Sequence, residues 1–441
     1  MTLIILFITF LILLALQVPV AVSLILATLV AILLFTDFTT GMIVLKMFGA
    51  AEAFPLIAIP LFVMAGAIMS KGGMADRLIS LARSIVGNMR GGIAITSILA
   101  CMFFAAISGS GVATTAAIGT VMIPAIMISG FSRGSATSLQ ATAGSIGIII
   151  PPSIPLILMG YVGDISISSL FMAGIIPGTL IGMGLMLVSY TTARYQNHPV
   201  GKEPFSFRQL NRSFWRASLA LLAVLFVLGG IMGGYVTATE AGIIAVIYSL
   251  AVSLFVYRDM SIRDLGPIMV DTAKITGIVV LVIGAATPFA WLLTVEQTPE
   301  IIAGTMLGLT ESRIVITLFM LMIMIAIGTF LDLTPAMFIL VPIFMPAAVG
   351  QLGMDPVHFG VMVVAALGIG QSTPPVGVTL FVACSVGKIQ MHEVVRPMLP
   401  FLAAMIAVLL AIAYIPALTL WLPEILPGFF ERLGMLFQGS G

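Results

Sequence analysis

Apolar stretches of about 20 residues, the length a helix needs to cross about 30 Å of hydrocarbon, recur from one end of this chain to the other. No other feature limits the fold so strongly. Inside a bilayer every backbone N–H and C=O has to be satisfied within the protein, which leaves only helices and closed barrels. Barrel strands would show as segments of about ten residues with alternating polarity, and the sequence has no such pattern. With 60% apolar and 8% charged residues, the chain also lacks the polar surface of a water-soluble protein. The expected fold class is an all-α polytopic membrane protein embedded in a lipid bilayer.

A net charge of +1 offers no electrostatic footprint for nucleic acid. Cys101 and Cys384 lie far apart in apolar surroundings and imply no disulfide framework. The N-terminus lacks the basic region of a cleaved signal peptide and runs apolar to Phe35. One helix from Thr2 to Leu34 would be about 50 Å long, too long for a single span. "QVPV" at 17–20 is the natural break into two short spans.

Two later breaks are matched. "GSIGIIIPPS" (144–153) and "GIGQSTPPVG" (368–377) each place a glycine four residues before a proline pair: Gly147 before Pro151-Pro152, Gly370 before Pro374-Pro375. The same offset of 223 residues carries Pro177 onto Pro400. Upstream of each, a Gly/Ser/Thr break separates two short apolar runs, in "AISGSGVATTAAIGTVMIP" (106–124) and "GTFLDLTPAMFILVP" (328–342). Each upstream piece is expected to form a re-entrant hairpin of two half-helices with its tip at membrane depth. Irregular backbone is tolerated there only when buried in protein or lining a wet cavity.

Charge placement supplies a topology. If the first hairpin starts and ends in the cytoplasm, at Arg90 and Arg133, the next segment exits near Asp164 and the following one returns to Arg194. The linker 194–216 is then inside, and three spans lead out to about Thr294. The second hairpin enters from outside, its broken span ends inside near Lys388, and the C-terminus finishes outside. All Lys and Arg except Lys46, Arg313 and Arg432 then fall on the inner side, as the positive-inside rule requires. Residues 71–91 read as an inner amphipathic arm, and 296–313, with three glutamates and one arginine, as its outer counterpart. An inverted-topology repeat with paired broken segments points to a secondary transporter.

Broken helices expose free N–H groups on one side and free carbonyls on the other. The former suit anions, the latter with hydroxyls a hard cation such as sodium. Ser108, Gly109, Ser110, Thr114 and Thr115 at the first tip are expected to face Gly144, Ser145, Gly147 and Ser153. Thr329, Asp332 and Thr334 at the second tip are expected to face Gln371, Ser372 and Thr373. The same residue types also serve close helix packing and simple kinks. Asp332, an ionisable group at membrane depth, is a candidate functional site by default; capping the helix that follows is its alternative role. Glu52 lies nearer a membrane face, and Glu240 with Thr237 forms a capping box. The three histidines, His198, His358 and His392, are expected in loops, away from any buried relay.

No lysine is followed by Ser or Thr, so there is no Walker A motif and no ATP-driven step in this chain. HExxH and TVGYG are also absent. A membrane-embedded protease would need a Ser/His or paired-Asp constellation, and Asp332 stands alone.

Six motifs in order, "FPLIAIPLFVMAGAIMSKGGMADRLI" (54–79), "SGSGVATTAAIG" (108–119), "GIIIPPS" (147–153), "GIIPG" (174–178), "TATEAG" (237–242) and "STPPVG" (372–377), resemble the large membrane subunit of a tripartite ATP-independent periplasmic (TRAP) transporter. The resemblance covers nearly the whole chain. It departs at Phe131, where tyrosine is expected, and at Gln371, which is more polar than expected. The resemblance implies an ion-transporter-superfamily fold of two inverted repeats and an elevator-type division. The first-half scaffold and inner arm would be 1–90, and the first-half transport part 91–192. A cytoplasmic linker (193–216) leads to the second-half scaffold and outer arm (217–313), the second-half transport part (314–421) and a tail (422–441). It implies uptake of an organic acid coupled to Na+, across the bacterial inner membrane. The partners would be a periplasmic substrate-binding protein and a small four-helix membrane subunit. Sodium would be held by Ser110, Thr114, Thr115, Gly144, Ser145, Gly147 and Ser153, and by Asp332, Thr334, Ser372, Thr373 and Gly377. The acid would lie by Ser108, Gly109, Ser110, Thr329, Pro335, Gln371, Pro374 and Pro375. A stand-alone sodium–carboxylate symporter of the same superfamily is the alternative.

Overall fold

The computed structural model describes residues 1–198, 205–310 and 312–426. Lys202 and its neighbours 199–204 in the expected linker, Glu311 in the expected outer arm, and 427–441 of the expected tail lie outside the described residues. Among the described residues there are helices and no strands, and nine of the helices are long and apolar enough to cross a membrane.

The first apolar run divides as its sequence suggests. Thr2–Ala15 and Val20–Phe35 are separate helices packed on each other, joined through Gln17, whose φ is 62°. Val20–Phe35, Ala58–Lys71, Ala238–Ala251 and Leu265–Val295 pack as one group. The segments 92–195 and 313–414 pack as another. The groups meet where Ala58–Lys71 lies against Gly92–Ser108 and Leu265–Val295 lies against Leu333–Met345.

The inner arm forms helix Met74–Val86, burying Met74, Ala75, Leu78, Ile79, Leu81 and Ala82, the i, i+3/i+4 stripe of an amphipathic helix. Its other face is held by Arg77. That guanidinium donates to the Asp259 carboxylate at 2.6 Å and to the Gly73 carbonyl at 2.8 Å, and lies 3.7 Å from the Tyr257 ring centre. Lys71 and Asp264 pair at 3.9 Å beside it. Because Arg77 is partly exposed, Arg77→Ala is expected to lower unfolding stability by only about 1 kcal/mol, read as a thermal midpoint shift in detergent.

Other contacts join chain ends in a consistent way. Thr239 Oγ1 donates to the Phe54 carbonyl at 3.4 Å, Ser168 Oγ to the Ile231 carbonyl at 3.1 Å, and Tyr414 OH to the Ile314 carbonyl at 2.8 Å. In each pair both members belong to the side that the charge-based topology calls outer, whereas Arg77–Asp259 and Lys71–Asp264 join two ends that it calls inner.

The hairpins differ from expectation in length. Their arms are Gly92–Ser108 and Gly111–Ile128, then Arg313–Phe330 and Leu333–Met345. At 17 and 18 residues, the first pair rise about 26 Å each, more than half-helices. The small polar residues do not break the helix, since helix propensity is a weak prior once packing supplies the stability; each break shrinks to two residues, Gly109-Ser110 and Leu331-Asp332. The proline breaks are also narrower. The first broken helix runs Arg133–Ser145, continues as a 3-10 turn Ile146–Ile148, and resumes at Ile154–Val162. The second runs Pro356–Ser372 and resumes at Val378–Gly387. Both Pro-Pro peptide bonds are cis.

The histidine expectation needs correcting. His198 is in a loop, but His358 and His392 sit in the first turns of Pro356–Ser372 and Met391–Tyr414. His358 is buried, with Nδ1 2.8 Å from Thr419 Oγ1 and Nε2 3.3 Å from the Ala413 carbonyl oxygen. Asp355 caps its helix by accepting the N–H groups of Val357 and His358, so "DPVH" starts a helix where a loop was expected. The Thr237–Glu240 capping box is present, and Glu52 is exposed at the end of Gly41–Ala51.

Candidate substrate and ion site

At the first tip the chain turns at Gly109, with φ +59°. A Cβ there would stand 2.6 Å from the Pro152 carbonyl oxygen, so only glycine fits this left-handed, closely packed corner. The Gly109 carbonyl accepts the Ile154 N–H at 3.0 Å, tying the tip to the restart of the broken helix. Ser110 caps Gly111–Ile128 by accepting the Ala113 N–H at 3.3 Å, and Ser108 Oγ lies 2.8 Å from Thr114 Oγ1. Thr114 and Thr115 press on the broken helix. A Cβ on Gly147 would come within 2.6 Å of Thr114 Oγ1, and one on Gly144 within 1.8 Å of Thr115 Oγ1.

The second tip repeats the tie. The Thr329 carbonyl accepts the Gly377 N–H at 3.0 Å. Gly377 has φ +47°, and its Cβ would meet the Gln371 carbonyl oxygen at 2.7 Å. Gly328 and Gly370 bring the hairpin and broken helix into backbone contact. Asp332 occupies the N-cap position of Leu333–Met345 but makes no side-chain capping bond. Instead Oδ1 accepts from Gln371 Nε2 at 2.6 Å. Thr334 and Pro335 are buried in the following turn, Pro374 is half-buried and Pro375 exposed.

Several candidate hydroxyls already have a carbonyl for their proton. Thr115 donates to Gly111, Ser145 to Thr142, Ser153 to Ile148, Thr329 to Ala326, Ser372 to Ile369 and Thr373 to Ile369. A hydroxyl whose proton is engaged keeps acceptor lone pairs, the donor chemistry a hard cation takes.

Between the tips lies a cavity of about 810 Å³. Its wall includes Ser108, Gly109, Ser110, Asp332, Thr334 and Gln371, and Asp332 is the one ionisable side chain among its described lining residues. Thr114, Thr115, Gly144, Ser145, Gly147, Ser153, Thr329, Pro335, Ser372, Thr373, Pro374, Pro375 and Gly377 do not line it. They sit behind the tips or on the breaks. The opposite wall lies outside the residues expected from the sequence and comes from Ala58–Lys71 (Ile59, Val63, Gly66, Ala67, Ser70) and from Ile275, Ile278 and Val279 of Leu265–Val295. A usable signal existed: Gly66 and Ser70 are i, i+4 small residues, and a Cβ on Gly66 would lie 3.1 Å from Ser108 Cα. Phe131, the departure from tyrosine, stacks on His198 with ring centres 4.3 Å apart, outside this cavity.

Comparison with known proteins agrees with the geometry. The crystal structure of the Alcanivorax borkumensis YdaH transporter matches with a TM-score of 0.56 over 87% of this chain and 88% of that one, at 17% identity, which shows a shared fold. The isethionate TRAP transporter permease protein DctMQ of Oleidesulfovibrio alaskensis is 40% identical over 92% of this chain, which spans 64% of that relative's length. The C4-dicarboxylate TRAP transporter large permease protein DctM of Pseudomonas aeruginosa is 39% identical over 89% of this chain and 92% of its own length. A family model described as the DctM component of tripartite ATP-independent periplasmic transporters matches residues 7–418. This chain therefore belongs to the DctM family, the large multi-pass membrane permease of bacterial TRAP transporters.

Proposed function

We propose that this permease takes up an organic acid, delivered by a periplasmic substrate-binding protein, across the bacterial inner membrane, driven by sodium and assisted by a small four-helix membrane subunit. The observation that carries this reading is that both hairpin tips and the helix ends flanking both proline breaks line one cavity, with Asp332 the one ionisable side chain among its described lining residues. The acid lies in that cavity, against Ser108–Ser110 and Gln371. Sodium lies behind each tip, where hydroxyl lone pairs and helix-end carbonyls converge: Thr114 and Thr115 against Gly144–Gly147, and Thr329–Thr334 against Ser372–Gly377.

The two halves are related as inverted repeats. Support comes from the matched ties Ile154–Gly109 and Gly377–Thr329 and from the segment ends joined as the positive-inside topology requires. The packing supports an elevator movement. The hairpins and broken helices slide as a body against Ala58–Lys71 and Leu265–Val295, whose cavity faces are largely apolar and, among the described residues, make no directional bond that must break in transit. The test is uptake of labelled acid into proteoliposomes holding this chain with its small subunit, with acid-loaded binding protein outside. Accumulation should need both an inward sodium gradient and the binding protein. Uptake that persists without both would overturn the reading, and uptake needing sodium alone would favour the stand-alone symporter.

A further inference from the structure

We propose that the inner end of helix Phe207–Met232 is a binding site for an anionic glycerophospholipid. Arg208, Arg212 and Arg216 recur at every fourth position and so share one face of the helix. All three are exposed, and among the described residues no carboxylate pairs with them. The opposite face buries Ser213, Ala217, Ala220 and Ala223, the alanines packing with Met74, Leu78 and Leu81 of the inner-arm helix. The arginine stripe therefore points away from the protein. Toward the membrane centre it continues as Trp215, Leu222 and Phe226, exposed at 68%, 36% and 55%. Each of these lies close to a whole number of helical turns after Arg208. Cation, aromatic ring and aliphatic group thus follow one another on a single stripe, the order of phosphate, interface and acyl chain along a lipid. From Arg216 to Phe226 the helix rises about 15 Å, half of the about 30 Å of hydrocarbon, so one leaflet's chain fits along it. The guanidinium fork bonds phosphate oxygens in pairs, and a zwitterionic headgroup brings a cation that three arginines repel. Tyr257 OH donates to the Arg216 carbonyl at 3.0 Å, which sets this end beside the Arg77–Asp259 pair, on the side that charge placement calls inner. Scattered cations would satisfy the positive-inside rule equally well; a graded stripe on one face asks for a ligand with the same gradient, and a bilayer supplies one at this depth.

Quenching of Trp215 fluorescence by brominated lipid tests this. Trp291→Phe and Trp421→Phe leave Trp215 as the one tryptophan of the chain. The full chain is reconstituted in phosphatidylcholine bilayers with rising fractions of phosphatidylglycerol, the bromine being on the acyl chains of one lipid or the other. Quenching should report about tenfold tighter binding of phosphatidylglycerol, the scale expected of cations at an anionic headgroup. Arg212→Gln with Arg216→Gln should bring the two lipids to within about twofold of each other. Arg133→Gln with Arg396→Gln removes as much inner charge from exposed positions on the other group of helices, and should leave the preference intact. Equal affinity for the two lipids in the single-tryptophan protein overturns the inference. So does a preference that survives the change at Arg212 and Arg216, or one that falls as far with the change at Arg133 and Arg396. Adding the small subunit in tryptophan-free form should leave the preference in place. If both lipids then stop quenching, the stripe belongs to that subunit and the inference fails.

Discussion

Asp332→Asn is expected to raise the sodium concentration needed for half-maximal uptake about a hundredfold. A cation about 4 Å from a carboxylate at an effective dielectric near 20 gains about 4 kcal/mol. An amide oxygen keeps part of that, and a loss of about 2.7 kcal/mol is a hundredfold. The substitution leaves the architecture alone, because an asparagine Oδ1 can still accept from Gln371 Nε2. Thermal stability should therefore move by less than about 1 kcal/mol, the scale of one retained hydrogen bond. That separation matters, since a destabilised protein would also transport poorly. Uptake with undiminished sodium dependence would reduce Asp332 to the residue that starts Leu333–Met345.

Gly109→Ala should be strongly damaging. The left-handed corner at φ +59° costs an L-residue about 1–2 kcal/mol. The added Cβ would meet backbone, the Pro152 carbonyl oxygen at 2.6 Å and the Ile154 nitrogen at 3.3 Å, with no flexible side chain able to yield. Relief requires moving the tip and breaking the Ile154–Gly109 hydrogen bond, which strands a buried donor and acceptor at about 1–3 kcal/mol each. Even at the low end of each figure the total is about 3 kcal/mol of stability, with uptake lost even in the fraction that remains folded. Gly49→Ala is the control. It lies in Gly41–Ala51 with nothing within 4 Å of its Cβ, and should stabilise by up to about 1 kcal/mol through helix propensity. Wild-type stability and uptake in Gly109→Ala would mean that the tip is not tied to the break as described.

Much of this arrangement was legible because proline and glycine carry backbone information in their own chemistry. Proline has no N–H to give a helix, so Pro151-Pro152 and Pro374-Pro375 marked the breaks wherever the rest of the chain went. The Gly/Ser/Thr runs look like wider interruptions than they are, because Thr114, Thr115 and Gly119 are helical once packed against the broken helix. "QVPV" divided the first apolar run on length alone. Not every contact could be read. The matched breaks bring Asp332 opposite Gln371, as their bond shows, but do not reveal the tie between the Gly109 carbonyl and the Ile154 N–H. The scaffold wall of the cavity comes from helices that look like ordinary spans apart from the Gly66–Ser70 pair. Charge placement alone puts His358 in a loop, whereas Asp355-Pro356 starts the helix in whose first turn it is buried.

The most direct test of the central claim, a sodium ion behind each tip, is the coupling ratio. With membrane potential clamped at zero, a tenfold sodium gradient should hold an acid gradient of about a hundredfold at reversal, since two ions contribute about 1.4 kcal/mol each. A reversal ratio of about tenfold or less would leave one cleft or both without a coupled ion and contradict the paired-site scheme.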